Sequence, residues 1–315
     1  MKPQSQLAQE LRKNTTAVRV SFNWFNTRKT LESHHRSQAA STFGADKNYL
    51  SATQKLVNTR HPKFAALTRI KGDIVSFWKL NTLPYTEDGI RLINRSKIDA
   101  FEARMKEFRE AFALAVDSLD QSLEEIREEA KNRLGSLFNP AHYPESIKDE
   151  FGFEWSFPSI EPPEYLASLA PGTYKLEQEK IEARLQEAVA LAETAFISEF
   201  KELVDALSDR LQPGEDGKKK IFKESTVVNF QEFFKRFKEL HLGSNADLEK
   251  LVVDAEKLLE GINAEELRSM ATLRGQVKDG LKQIGEQLTP MVIPRRKIIV
   301  PKKLEAAHAT QESAA

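Results

Sequence analysis

From Ile98 onward, apolar side chains recur at Phe101, Met105, Phe108, Phe112, Val116, Leu119, Leu123, Ile126, Ala130, Leu134 and Leu137. Steps of three and four lay a single apolar stripe along a helix. No Gly or Pro interrupts residues 97–137 before Gly135. At 1.5 Å rise per residue such a helix is about 60 Å long, and its stripe needs a partner of similar length. Residues 175–211 offer one: Leu176, Ile181, Leu185, Val189, Ala192, Phe196, Phe200, Leu203, Leu207 and Leu211 keep the same spacing until Pro213-Gly214 stops it. The pair is expected to form an antiparallel hairpin. Ile98, Met105, Phe112, Leu119 and Ile126 fall at the seven-residue spacing of a coiled-coil seam, with Leu185, Phe196 and Leu203 facing them from the second helix.

Elsewhere the period changes. Val18, Val20, Phe22 and Trp24 alternate with polar residues, as do Phe151, Phe153, Trp155 and Phe157, so both runs read as half-buried strands. Met1 to Lys13 reads as a polar leader, residues 30–58 as two short, weakly amphipathic helices, and His61-Pro62 as the start of a helix through Trp78. Residues 81–89, with Pro84 and Asp88-Gly89, read as a turn-rich link. Three shorter helices are predicted over Val227–Leu240, Asn245–Glu260 and Ala264–Leu288, the last opened by an Asn263/Glu266 capping box. Residues 297–300 could add an edge strand, and 304–315 read as a disordered tail. The expected fold is mainly α: a long coiled-coil-like hairpin, a small β-sheet at its base and a cluster of shorter helices. The expected regions are a basic N-terminal region (1–96), the hairpin with its aromatic strand (97–212), C-terminal helices (213–303) and the tail.

Charge sharpens this division. The 315-residue chain balances 47 Lys/Arg against 47 Asp/Glu, yet residues 1–96 carry +10 and residues 97–212 carry −12. Either the two regions face each other, or the basic third meets a nucleic acid. Further cations cluster at Lys218, Lys219, Lys220 and Lys223, and at Arg295, Arg296, Lys297, Lys302 and Lys303. These are the candidate phosphate contacts. Trp24, Phe25 and Trp78 could stack bases if exposed, although their periodic placement favours a core role.

No catalytic, cofactor or metal site is predicted. Cysteine is absent, which removes disulfides, thiolate ligands and a cysteine nucleophile. His34 and His35 are adjacent, so on a helix they diverge by roughly 100° and do not form the usual i, i+4 metal pair, although His61 could join them in space. Gly214 to Lys218 lacks the spacing and hydroxyl of a phosphate loop, and Ser198-Glu199-Phe200-Lys201 stands mid-helix without the companion motifs of an acylase. A cleft in which a His and two carboxylates converge would revive an enzymatic reading. With no secretory signal and no membrane-length apolar run, the expectation is a cytoplasmic protein that does not enter a membrane.

Trp24, Phe25, Arg28 and Lys29, then Phe43-Gly44-Ala45-Asp46-Lys47, the lead-in Leu83-Pro84-Tyr85, the long helix and the strand Phe151-Gly152-Phe153-Glu154-Trp155-Ser156-Phe157 follow one another along the chain. Over residues 16–210 this layout resembles a phage- and plasmid-borne family of helical proteins of unknown function, the DUF3150 type. The resemblance implies a mobile-element origin in a bacterial host, with a MoxR-like AAA ATPase and a von Willebrand A protein as associates. It transfers no active-site residue. The expected function is a non-enzymatic adaptor or scaffold acting through protein contacts of the hairpin; the alternative is nucleic-acid binding by the basic third.

Overall fold

The computed structural model describes residues 3–212 and 224–292. The protein is mainly helical with a small antiparallel sheet. It divides into two compact units: Met1–Ala192 with Lys238–Ser244, and Glu193–Phe237 with Asn245–Ala315.

The first unit is built around a four-stranded sheet. Its first strand, β1 (Thr15–Asn23), pairs antiparallel on one side with β5 (Ile90–Asn94) and on the other with β6 (Gly152–Ser156). β4 (Leu83–Pro84) extends the β5 edge. The alternation in residues 18–24 and 151–157 thus marks two strands that are direct neighbours, Val20 opposite Trp155 and Phe22 opposite Phe153. Beside the sheet, β2 (Arg28–Thr30) and β3 (Thr53–Lys55) form a separate two-stranded ribbon. α1 (Gln4–Asn14) buries Leu7, Ala8 and Leu11, so the stretch read as a leader is an ordered amphipathic helix. α2 (Ser33–Thr42) is the one helix found between residues 30 and 58, since β3 stands where a second was expected. α3 (Pro62–Leu80) begins at the predicted His61-Pro62, with proline in the first turn where no helical N–H is lost.

The stripe that begins at Ile98 is buried as its period requires, but its helix and its partner differ from expectation. The helix is two pieces, α4 (Ile98–Asp120) and α5 (Leu123–Leu134). The backbone tightens where Ser122 N–H donates to Leu119 O, while Asp120 accepts from Ser146 Oγ and Ile147 N–H, both at 2.9 Å. Phe101, Met105, Phe108, Phe112, Val116 and Leu119 on α4, then Leu123, Ile126 and Ala130 on α5, join one core cluster. Their companions are Phe64, Leu67, Ile74 and Trp78 of α3, Val18 and Val20 of β1, Ile93 of β5, and Tyr143, Ile147 and Phe151. Phe77 of α3 stacks on Phe101 at 5.4 Å. Met105, Phe112, Leu119 and Ile126 are therefore buried in a core shared with α3, β1, β5 and residues 143–151, not in a seam with a helix after residue 175. The core cluster contains no residue of that helix.

α6 (Tyr165–Leu169) and the continuous α7 (Pro171–Leu211) follow the aromatic strand. In the first unit, α7 residues reach toward α1 and the β4–β5 turn. Gln4 Nε2 donates to Gln186 O at 3.2 Å, and Arg184 pairs with Glu87 at 2.6 Å. Arg12 of α1 grips Glu161 with both ends of its guanidinium, which holds the Arg12 pKa above its ordinary value.

The second unit comprises residues 193–211 of α7, α8 (Ser225–Leu240) up to Phe237, α9 (Ala246–Leu259), α10 (Ala264–Ser269) and α11 (Ala271–Leu288). The seam residue Phe196 sits edge-on to Phe237 at 5.2 Å, and Phe200 stacks on Phe233 at 5.2 Å. The aromatic stripe of α8 thus takes the place assigned to the hairpin partner at Phe196. The predicted 264–288 helix breaks at Met270, whose ψ of 102° is extended. Its Asn263/Glu266 capping box is present with both hydrogen bonds, at 2.9 and 3.1 Å. Arg274 reaches from α11 to the end of α7, donating to Leu211 O at 3.0 Å and to Arg210 O at 3.1 Å.

Candidate functional site

The cationic clusters at Lys218, Lys219, Lys220, Lys223, Arg295, Arg296, Lys297, Lys302 and Lys303 lie outside the described residues, as do Gly214–Lys218 and the possible strand at 297–300. The basic N-terminal third is described. Within it Arg12 pairs with Glu161, a carboxylate of residues 97–212. Arg28, Lys29, Lys47, Lys55, Arg60, Lys63 and Arg69 are exposed and have no carboxylate within salt-bridge distance among the described residues. Arg28 stands directly opposite Lys55 across the β2–β3 ribbon. Like charges opposed in this way cost a few tenths of a kcal/mol to about 1 kcal/mol, a cost that an anion laid between them would remove.

The aromatic side chains that could stack bases are engaged in the core. Trp78 and Phe25 are buried, and Trp24 lies 4.9 Å from Phe151 and 6.3 Å from Phe112. Lys71 covers the remaining side of this cluster, its Nζ 4.1 Å from the Trp24 ring and 4.9 Å from the Phe22 ring. Partial burial pushes the Lys71 ammonium below its usual range, while the ring faces favour keeping it charged. Arg109 covers Trp155 in the same manner at 4.3 Å.

A cleft of about 360 Å³ opens between α1, β4 and β5 and residues 239–243. Leu7, Leu11, Leu83, Leu92, Leu240 and Leu242 line it, together with Glu10, Asn14, Asn94, Glu239 and His241. Two carboxylates and a histidine share this wall, yet Glu239 is paired with Lys97 at 3.4 Å. Nor do the three belong to a group whose ligating atoms converge, a condition met among the described residues only by Glu32, His34 and His35. The cleft thus offers apolar contact alongside polar groups.

His34 and His35 do not diverge. Their rings touch, with 3.7 Å between centroids. His61 is elsewhere, its Nε2 3.9 Å from Glu125 Oε1, and His142 Nδ1 meets Gln54 Nε2 at 3.2 Å. Ser198 and Lys201 lie within α7, and Lys201 is paired with Asp205 at 2.5 Å, so the spaced serine and lysine build no acylase site.

In the first unit large apolar side chains are exposed singly at Phe43, Tyr49, Leu80 and Leu114, and close together in sequence over residues 165–176. Tyr165 is 62% exposed, Leu169 78% and Leu176 58%. Tyr165 and Leu169 are four residues apart on α6 and share a face. No helix among the described residues is long and apolar enough to cross a membrane.

No family model matches this chain. Nor does any curated protein. The search of solved structures likewise finds no match.

Proposed function

We propose that the protein is a non-enzymatic adaptor or scaffold that works through protein–protein contacts. The observation that carries this reading is the exposed apolar stretch at Tyr165, Leu169 and Leu176. Apolar area left in water is recovered by a partner surface at roughly 25 cal/mol per Å². A coiled-coil seam between residues 97–137 and 175–211 is not needed, because the stripe from Phe101 to Ala130 is covered within its own unit. The partners proposed are a MoxR-like AAA ATPase and a von Willebrand A protein, with a phage or plasmid origin; these rest on the family resemblance.

The test is complex formation by the full chain with those two partners, and its self-association, followed by sedimentation velocity over a hundredfold concentration range. Replacing Tyr165, Leu169 and Leu176 by Ser is expected to abolish the association. A chain that stays monomeric and binds neither partner refutes the adaptor reading.

A second reading, nucleic-acid binding, is favoured by one observation: Arg28 and Lys55 stand opposite each other across the β2–β3 ribbon, and neither has a carboxylate within salt-bridge distance among the described residues. Fluorescence anisotropy with labelled single- and double-stranded oligonucleotides should then show affinity that falls steeply with salt. Arg28→Glu with Lys55→Glu should lose that affinity; binding unchanged in this variant removes the reading.

A further inference from the structure

The start of α2 brings together Glu32, His34 and His35, whose ligating atoms all lie within 4.8 Å of one another. His34 Nδ1 stands 3.6 Å from Glu32 Oε2, and the two imidazole rings are tilted by 40° at 3.7 Å. Neighbouring residues on a helix ordinarily diverge. In a first turn no preceding turn restricts their rotamers, so the rings can swing to one side. Glu32 is the N-cap residue, with extended backbone (φ −59°, ψ 156°), and its carboxylate caps no helix N–H. An N-cap side chain normally accepts from the second or third residue of the helix, which here are His34 and His35. The Glu32 carboxylate lies beside their rings instead.

We propose that Glu32, His34 and His35 form a binding site for a divalent transition-metal ion of the zinc class. Two imidazole nitrogens and one carboxylate oxygen suit a borderline ion, whereas magnesium and calcium require more oxygen donors. Zinc with bonds of about 2.0–2.1 Å holds tetrahedral donors roughly 3.3 Å apart. The Glu32–His34 separation of 3.6 Å is already near this value. The remaining closure falls to surface side chains: His34 and Glu32 are 66% and 56% exposed and His35 is half-buried. Three protein donors leave a fourth coordination position for water or a group from a partner. The partial positive charge of the helix start opposes a cation there, so the Glu32 carboxylate is essential to the balance.

The experiment is calorimetric titration of the full, tag-free chain with zinc chloride, repeated with cobalt(II) so that its visible absorption reports the donor geometry. One equivalent is expected to bind, with a tetrahedral cobalt spectrum. His34→Ala and His35→Ala should each weaken binding by at least about tenfold, Glu32→Gln should weaken it as well, and His142→Ala should leave it unchanged. Circular dichroism checks that each variant is folded. No zinc binding by the native chain overturns the site. So does unaltered binding in the His34→Ala/His35→Ala double variant, or equal competition by magnesium.

Discussion

Arg274 offers a sharp test of how the second unit is held together. Its guanidinium donates to Leu211 O at 3.0 Å and Arg210 O at 3.1 Å, carbonyls left without partners where α7 ends. The side chain is buried, and the negative end of the helix favours a cation at this place. Hydrogen bonds to a charged group contribute about 1.5–3 kcal/mol each, and two donors on one fork are not independent. Arg274→Met keeps much of the volume but leaves both carbonyls buried and unpaired, so a loss of about 3 kcal/mol is expected. Arg274→Lys brings a point charge in place of the fork and should lose roughly half as much. Urea unfolding followed at 222 nm should show lower midpoints with unchanged slopes. Hydrogen exchange should place the lost protection at the end of α7 and the start of α11. If both variants stay within about 0.5 kcal/mol of the native chain, the fork is not a structural tie.

Three further outcomes are expected. Phe112→Ala removes a buried ring that meets Phe153 edge-on at 5.4 Å and should cost about 3–5 kcal/mol by urea unfolding, with a shift in tryptophan emission because Trp24 loses its neighbour. Tyr143 donates to Leu56 O at 2.8 Å, and burial pushes its phenol above the ordinary value of 10.0. The unfolded phenol therefore gives up its proton first, stability falls as pH rises past about 10, and Tyr143→Phe should flatten that part of an alkaline melting profile. Gly72 lies inside α3 with open space where a Cβ would stand, so Gly72→Ala should raise stability by about 0.5–1 kcal/mol; Gly280→Ala should gain less or lose, since its Cβ would meet Leu258 Cδ2 at 2.6 Å.

Local pattern announced what local physics decides. Alternation at Val18–Trp24 and Phe151–Phe157 marked β1 and β6, His61-Pro62 opened α3, Phe230, Phe233, Phe234 and Phe237 marked the buried face of α8, and Asn263 with Glu266 closed a capping box. What escaped depends on distant contacts. Asp120 is held by the backbone at Ile147, and nothing in residues 97–137 foretells a break there. β5 is five residues long and follows Asp88-Gly89, so its Ile90, Leu92 and Ile93 were overshadowed by turn signals until β1 supplied a partner. The stripe on α4 specified that a face is buried but not against what; α3 carries an equally good face, nearer along the chain. Contact between His34 and His35 arises from first-turn rotamer freedom, which sequence spacing does not encode.

The position of β1 carries a consequence for biosynthesis. It leaves the ribosome before β5 and β6, and one of its two flanking ladders waits for β6, with 133 residues separating Ser21 from Glu154. At bacterial and eukaryotic elongation speeds of about 5–20 residues per second, that delay is roughly 7–27 s. Throughout it the edge at Arg19–Asn23 is bare, and a nascent chain emerging from a neighbouring ribosome presents the same edge. Yield of native protein should therefore depend on how densely ribosomes load the message.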